Sequence, residues 1–329
     1  MSLANSNYQT QKKITIVVAV MFIVKLVAWY LTNSVAILTD ALEYTINVIS
    51  SIIGLYSLSL SAKPKDYNHP YGHGKAEFLS SSIEGILMIV SSFIILYQAI
   101  INLQHPHTIS KLDYGIYLVA FTAFLNYFLG YFSIKEGKKT NSLPLAATGK
   151  HLQSDTYATL AIIVGLIAIY FTKYIWIDSI VAIVFATIII VSGYKILRSS
   201  IAGIMDEADD ELLRKLVEIL EKNRNENWID LHNLRIIKYG ATLHLDCHLT
   251  VPWYFNVNEA HKEIDVLSCL VKNEFGESVE LFVHTDGCLD FSCKVCNKKT
   301  CNVRKFNFKK TIHWTVNNVS TDSKHQLEL

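Results

Sequence analysis

Residues 150–170 run KHLQSDTYATLAIIVGLIAIY, and the fold class turns on this stretch. Most of it is compatible with lipid, yet His151 and Asp155 stand one helical turn apart at its head. An ionisable group at membrane depth costs about 3 kcal/mol or more unless it pairs, lines water or holds an ion. The stretch therefore predicts a membrane helix whose two polar groups have a purpose.

Working outward, the 329 residues are 51% apolar with a formal charge of +1, and the mean hydropathy is +0.27. Such a chain is neither disordered nor an ordinary soluble enzyme. No basic stripe with interleaved aromatics appears, so no nucleic-acid partner is expected. The N-terminal MSLANSNYQTQKK is polar, and the apolar run after it has no small-residue cleavage pattern, so no signal peptide is expected.

A hydrocarbon core needs about 20 helical residues. Six stretches qualify, at 14–31, 35–60, 78–102, 114–134, 145–171 and 177–197. Lys12 and Lys13 precede the first; Lys63, Lys65 and Lys75 lie between the second and third; Lys135, Lys138, Lys139 and Lys150 lie between the fourth and fifth. Lys195 and Arg198 end the sixth, whereas the opposite side carries only Lys111 and Lys173. The positive-inside rule then predicts a multi-pass protein in the lipid bilayer with both termini cytoplasmic. The compact form suggests a bacterial inner membrane.

From Asp206 the texture becomes that of a soluble α+β domain. DEADDELLRKLVEILEK is an amphipathic helix with acids in its first turns. LHNLRIIKYG and ATLHLDCHLTV alternate as two strands meeting at a hairpin-like turn at Tyr239 and Gly240. VNEAHKEIDVLSCLVKNEF is helical again and SVELFVHTD is a third strand. The predicted order is αββαβ, a small open sheet backed by two helices.

Glu43 and Asn47 in the second span repeat the four-residue spacing of His151 and Asp155 in the fifth. That spacing puts both groups on one helix face, about 6 Å apart. Facing each other, the two pairs offer carboxylate, amide and imidazole donors of the kind that Zn²⁺ accepts. The alternative is that each pair bonds a neighbouring helix; two pairs in spans with few other ionisable groups favour an ion site. Asp40 is an entrance charge or a cap at the water boundary, and Lys25 and Glu84 are read as structural charge partners between spans.

TGKHLQSD, the loop NHPYGHGKAE and the strand ends LHNLR and FVHTD, behind six spans, make the chain resemble the cation diffusion facilitator transporters from about Lys12 to Asp286. The resemblance implies a homodimeric, proton-driven exporter of divalent metals, not an enzyme. It implies a transmembrane transport domain over 1–205, a cytoplasmic metal-binding and dimerisation domain over 206–287, and a cysteine-rich extension over 288–329. It carries the transport site to Glu43, Asn47, His151 and Asp155. Members of the family usually have His or Asp followed by Asp in the second span, where this chain has Glu followed by Asn. Asn cannot ionise, so that set holds at most two negative charges; zinc leads as the metal, with iron, manganese and cobalt open. His151 is expected to carry the exchanged proton, with Asp155 or Glu43 as the second carrier.

The resemblance also implies a loop metal site at Asp66, His69 and His73. The alternative is that these imidazoles bond the loop to itself and to Glu77. Lys75 and Asp206 match positions that link the two halves by charge in the family. His232, His248, His261, His284 and Asp286 match its cytoplasmic metal positions, supplied there by both subunits. Such a site makes the domain a sensor of cytoplasmic metal. Gly287 replaces the usual Pro.

Cys288, Cys293, Cys296 and Cys301, with gaps of four, two and four, suggest a tetrahedral zinc site or a metal-capture arm. Free thiols on a tail are the other reading, and a reducing compartment argues against disulfides. Cys247 and Cys269 are read as core residues, and KKTIHWTVNNVS as a strand on the domain edge. The competing function is a membrane-anchored metal sensor with a degenerate transport site. No zincin motif, phosphate-cradling loop or nucleophile elbow supports an enzyme.

Overall fold

The computed structural model describes residues 3–32, 35–104, 115–172 and 176–327. The chain divides into two compact units, Met1–Met205 and Asp206–Leu329.

Among its described residues the first unit contains six long helices: α1 Leu3–Thr32, α2 Val35–Ser61, α3 Ala76–Gln104, α4 Gly115–Lys139, α5 Leu143–Thr172 and α6 Trp176–Ile204. Among the described residues, Tyr44–Ser61, Ala76–Ile101 and Ser179–Ile204 are long and apolar enough to cross a membrane. The unit is apolar outside, and inside it buries polar groups beside apolar clusters such as Ile14, Val18, Leu58 and Leu145. Ile16, Val20, Ile23, Ile86, Phe93, Phe124 and Val184 are exposed, while Ser50, Ser51, Ser81, Glu84, Ser92 and Asn126 are buried. In lipid this arrangement satisfies both faces, because helices gain from interhelical hydrogen bonds and close packing rather than from hiding apolar surface.

The tightest pairings are α3 with α6 and α4 with α5. Between α4 and α5 the backbones touch: a Cβ on Gly130 would stand 2.6 Å from the Gly149 carbonyl oxygen, and one on Gly149 2.7 Å from that of Gly130. Glycine is required at both positions, and the pairing fixes how α5 presents His151 and Asp155. The polar N-terminal stretch expected ahead of the first span is part of α1. Its Gln11 is fully buried and donates to the Ser51 carbonyl at 3.4 Å and to Thr148 Oγ1 at 3.5 Å.

The second unit continues as α7 Asp210–Lys222, β1 Asp230–Tyr239, β2 Thr242–Val251, α8 Val257–Phe275 and β3 Val279–Gly287. The sheet order is β1-β2-β3, with β1 antiparallel and β3 parallel to β2. Leu213, Leu216, Val217 and Leu220 of α7 and Leu267 and Val271 of α8 share one core with Leu231, Leu234, Ile236, Leu245 and Leu249. Leu231 and Leu234 are three residues apart, which a plain strand would send to opposite faces. A bulge between His232 and Arg235, with Asn233 at φ 52°, restores both leucines to the core.

After β3 come a 3-10 turn at Asp290–Lys294 and a four-residue helix α9, Val316–Val319. The expected edge strand at KKTIHWTVNNVS is absent. Trp314 stacks under the Arg224 guanidinium at 4.2 Å, Val319 is fully buried in the core, and the bulge amide of Asn233 donates to the Thr321 carbonyl at 2.7 Å. Cys269 faces solvent on α8, whereas Cys247 is buried and shares the core with the other odd-numbered residues of β2 from Leu243 to Val251.

Candidate metal centres

Near the middle of α2 and α5, Asn47 donates to the Asp155 carboxylate at 2.5 Å. One turn earlier on α5, His151 Nδ1 lies 3.6 Å from Glu84 Oε1 on α3. Glu84 also accepts from Ser50 Oγ at 3.0 Å and from Thr148 Oγ1 at 3.3 Å. Asn47, His151 and Glu84 are all buried. The side chains of Glu43 and Asp40 lie outside the described residues. Three of the four predicted transport residues thus lie in one largely buried polar cluster, with Asp155 half-buried, and Glu84 meets it as the charge partner of His151. Its sequence signal was a lone acid in the apolar run of α3. Lys25 sits over the Tyr44 ring at 4.2 Å, between α1 and α2.

In the loop between α2 and α3, Asp66 gathers both histidines. Its Oδ1 accepts from the His69 amide at 2.7 Å and lies 3.0 Å from His69 Nδ1, while Oδ2 is 3.4 Å from His73 Nε2. The His69 amide, aided by the His69 ring and the Asn68 amide, holds this exposed carboxyl below its ordinary value. Gly72, at φ 91°, turns the chain between the two imidazoles. Glu77 is not their partner; it accepts from Ser61 at 2.6 Å. Lys75 donates to the Ile204 carbonyl at 3.3 Å.

Across the sheet, register aligns His232 with His248 and His248 with His284. Two residues on, the next row of the same face aligns Asp230, Thr250 and Asp286. Asp286 Oδ2 stands 3.5 Å from both His232 Nε2 and His248 Nδ1, and Oδ1 is 3.6 Å from His284 Nε2. These separations are long for hydrogen bonds, and Asp286 Oδ2 is buried without a hydrogen-bond partner. Two donors about 2.1 Å from a tetrahedral zinc lie about 3.4 Å apart, so an ion fits the gap.

Asp230 was not singled out from sequence. It lies 3.3 Å from His232 Nδ1, the position of a carboxylate that orients a ligating imidazole. Burial would raise its carboxyl, but His232 and His325 outweigh burial and hold it well below the usual range. His261 remains apart, exposed on α8 and 3.7 Å from Asp265.

Among the described residues, two groups have ligand atoms all within 4.8 Å of one another: Asp66, His69 and His73, and His232, His248 and Asp286. The four extension cysteines are more widely set. All are free thiols, and all line one small cavity with Tyr254, Ser292 and Arg304. Burial, then the neighbouring Cys296, Cys293 and Cys301, push the Cys288 thiol up against the pull of the Trp253 amide.

Residues 13–205 match the family described as the cation efflux transmembrane domain, and 208–288 the one described as the cytoplasmic domain of cation efflux proteins. The chain belongs to the cation diffusion facilitators. It is 30% identical to an uncharacterised transporter of Synechocystis sp., over 72% of this chain and 76% of that protein. It is 27% identical to the manganese efflux system protein MneP of Bacillus subtilis, over 77% and 87% of the two chains. It is 25% identical to the cadmium, cobalt and zinc/H(+)-K(+) antiporter of the same organism, over 78% and 83%.

In this cation diffusion facilitator the helical unit is therefore a membrane domain, and the sheet unit carries the family's cytoplasmic domain. Both family matches end by residue 288. Cys293, Cys296 and Cys301, together with the tail that crosses β1, lie beyond them.

Proposed function

We propose that this chain exports divalent transition-metal ions from the cytoplasm in exchange for protons, by alternating access. It does so as a homodimer with six spans per subunit, in a bacterial inner membrane with both termini cytoplasmic. The observation that carries this reading is the polar cluster of buried Asn47, His151 and Glu84 with half-buried Asp155, shared by α2, α3 and α5. Carboxylate and imidazole bind metal only when deprotonated, so protons and metal compete for the same atoms. An imidazole, with an ordinary pKa of about 6.5, exchanges its proton in the working range. Glu43, Asn47, His151 and Asp155 form the transport site, and His151 carries the proton. Glu84 stabilises the imidazolium that forms when metal leaves.

Zinc is the leading substrate, with iron, manganese and cobalt as competitors. In the cytoplasmic domain a divalent ion held by His232, His248 and Asp286, with His284 and His261 completing sites across the dimer, reports cytoplasmic metal. Asp66, His69 and His73 form the loop site.

The test is flux into proteoliposomes carrying a lumenal pH indicator, offered each of the four metals in turn. Metal uptake with matching lumenal alkalinisation is the expected result; uptake without any pH change would remove the proton from the mechanism. A second reading is a membrane-anchored metal sensor. It draws on the Asn47–Asp155 hydrogen bond, which satisfies the acid without metal. No flux of any of the four ions, with metal still bound to the full-length protein, is the outcome that favours it.

A further inference from the structure

The extension between the 3-10 turn and α9 has neither helix nor strand over residues 295–315, and its buried side chains are few: Val295, Cys296, Lys298 and Trp314. So long an irregular segment needs a staple, because its apolar burial does not offset the entropy of ordering it. We infer that Cys288, Cys293, Cys296 and Cys301 hold a closed, four-thiolate zinc site that is structural rather than part of transport.

The scaffold around the thiols has the features such a site needs. Cys288 directly follows β3, and its amide donates to the Val251 carbonyl at 2.9 Å, which anchors the first sulfur to the sheet. Cys293 lies in the 3-10 turn, whose Ser292 carbonyl accepts from the amides of Val295 and Cys296 at 3.1 and 3.0 Å. Both thiols of the C-x-x-C pair, one in that turn and one just after it, line the same cavity. Arg304 then closes the segment on itself, donating to the carbonyls of Cys293 at 2.8 Å, Cys296 at 2.9 Å and Lys298 at 2.8 Å. The spacings of two and four residues are those of structural zinc sites, in which each sulfur lies about 2.3 Å from the metal. The ion draws the four sulfurs inward from the cavity they line.

Charge and outer contacts agree. Four thiolates around Zn²⁺ leave a net charge of about −2, which favours cationic and N–H neighbours. The Arg304 guanidinium lies 3.9 Å from Cys296 Sγ, and the Trp253 amide donates to the Cys288 thiol. Lys298 is buried nearby, donating to Asn227 at 2.7 Å and Glu226 at 3.1 Å. Four protein ligands fill a tetrahedral ion and leave no coordination position for substrate, as a structural site requires.

The experiment is cobalt substitution of the full-length protein in detergent. Sulfur-to-cobalt charge-transfer absorption and intense tetrahedral ligand-field bands are expected. They persist in His151→Ala/Asp155→Ala and vanish in Cys293→Ser/Cys296→Ser. Because the first variant leaves the thiols intact, the result is independent of the transport reading. Arg304→Ala is expected to weaken metal retention about tenfold to a hundredfold. Should the double serine variant fail to fold, alkylation of the wild-type protein decides: zinc protects the four thiols, and chelation exposes them. Absence of the sulfur bands, equal alkylation with and without zinc, or recovery of the cysteines as disulfides would overturn the assignment.

Discussion

Asn47 and Asp155 face each other across α2 and α5, joined by a 2.5 Å hydrogen bond in which the amide donates. An amide solves a problem that a second acid would create. Two carboxylates at this distance cannot both ionise without metal or a proton between them. Asn47→Asp is therefore expected to keep transport but to make it depend more steeply on pH, because the empty site must take up an additional proton. Asn47→Ala removes the donor and is expected to destabilise the membrane domain by about 1–3 kcal/mol. Flux measured across a pH series checks the first effect, and a pH profile identical to wild type in Asn47→Asp would contradict it.

Glu84 accepts from Ser50 and Thr148 while facing His151. Glu84→Gln keeps one oxygen to accept from one hydroxyl and presents an NH2 to which the other hydroxyl, rotated, accepts, but it removes the charge opposite the imidazole. The expected outcome is metal binding close to wild type with flux reduced about tenfold or more, since a charge partner contributes only when the imidazole is protonated. Equal flux in Glu84→Gln and wild type would return Glu84 to a packing role. Glu84→Ala, which removes the acceptor of both hydroxyls, should additionally lower thermal stability.

Apolar run length located the six long helices of the described residues, and apolar periodicity the αββαβ order, because both signals are local. What they missed was decided by tertiary partners. MSLANSNYQTQKK looks like a polar lead-in, yet Gln11 is buried because Ser51 and Thr148 supply its hydrogen bonds. Glu84 looks like a stray charge until α5 brings His151 to it. The strand LHNLR alternates only approximately, and the three-residue step from Leu231 to Leu234, with a residue tolerant of positive φ between them, is the trace of the bulge. The tail beyond Cys301 has no period at all. Its course follows from single contacts, such as Arg224 with Ile312 and Trp314, that no spacing rule encodes.

Asp209 caps α7, accepting from the Leu212 amide at 3.0 Å, and holds Lys238 of β1 at 2.5 Å. Burial would raise its carboxyl, but Lys238 and the Leu212 amide outweigh it and lower it. A depressed carboxyl contributes stability that is fully present above its unfolded value of about 3.9 and lost as pH falls through its folded value. Asp209→Ala is expected to destabilise the sheet domain by about 1 kcal/mol at neutral pH and progressively less below pH about 4. Hydrogen exchange at the α7 amides in the full-length protein reads this out. A difference from wild type that persists unchanged in acid would show that the cap's charge is irrelevant.

Lys324 brings the tail back to the sheet, its ammonium 3.5 Å from Asp286 Oδ1 and donating to the Gly287 carbonyl at 3.0 Å. It thereby holds a positive charge at the carboxylate that His232 and His248 also face, and a divalent ion entering there must compete with it. Removing the charge in Lys324→Met is expected to tighten zinc binding at the sheet site by roughly fivefold, about 1 kcal/mol for a partly exposed pair, whereas Lys324→Arg leaves it near wild type. Zinc titration against a competing chelator, on full-length protein carrying Asp155→Ala to silence the membrane site, with the same titration in His232→Ala/His248→Ala subtracted as the background of the loop and cysteine sites, isolates this effect. The asymmetry between Met and Arg is the diagnostic, because loss of packing alone would affect both. Equal zinc affinity in Lys324→Met and wild type would mean that the ammonium leaves Asp286 at no cost, and the tail would then have no hold on the metal.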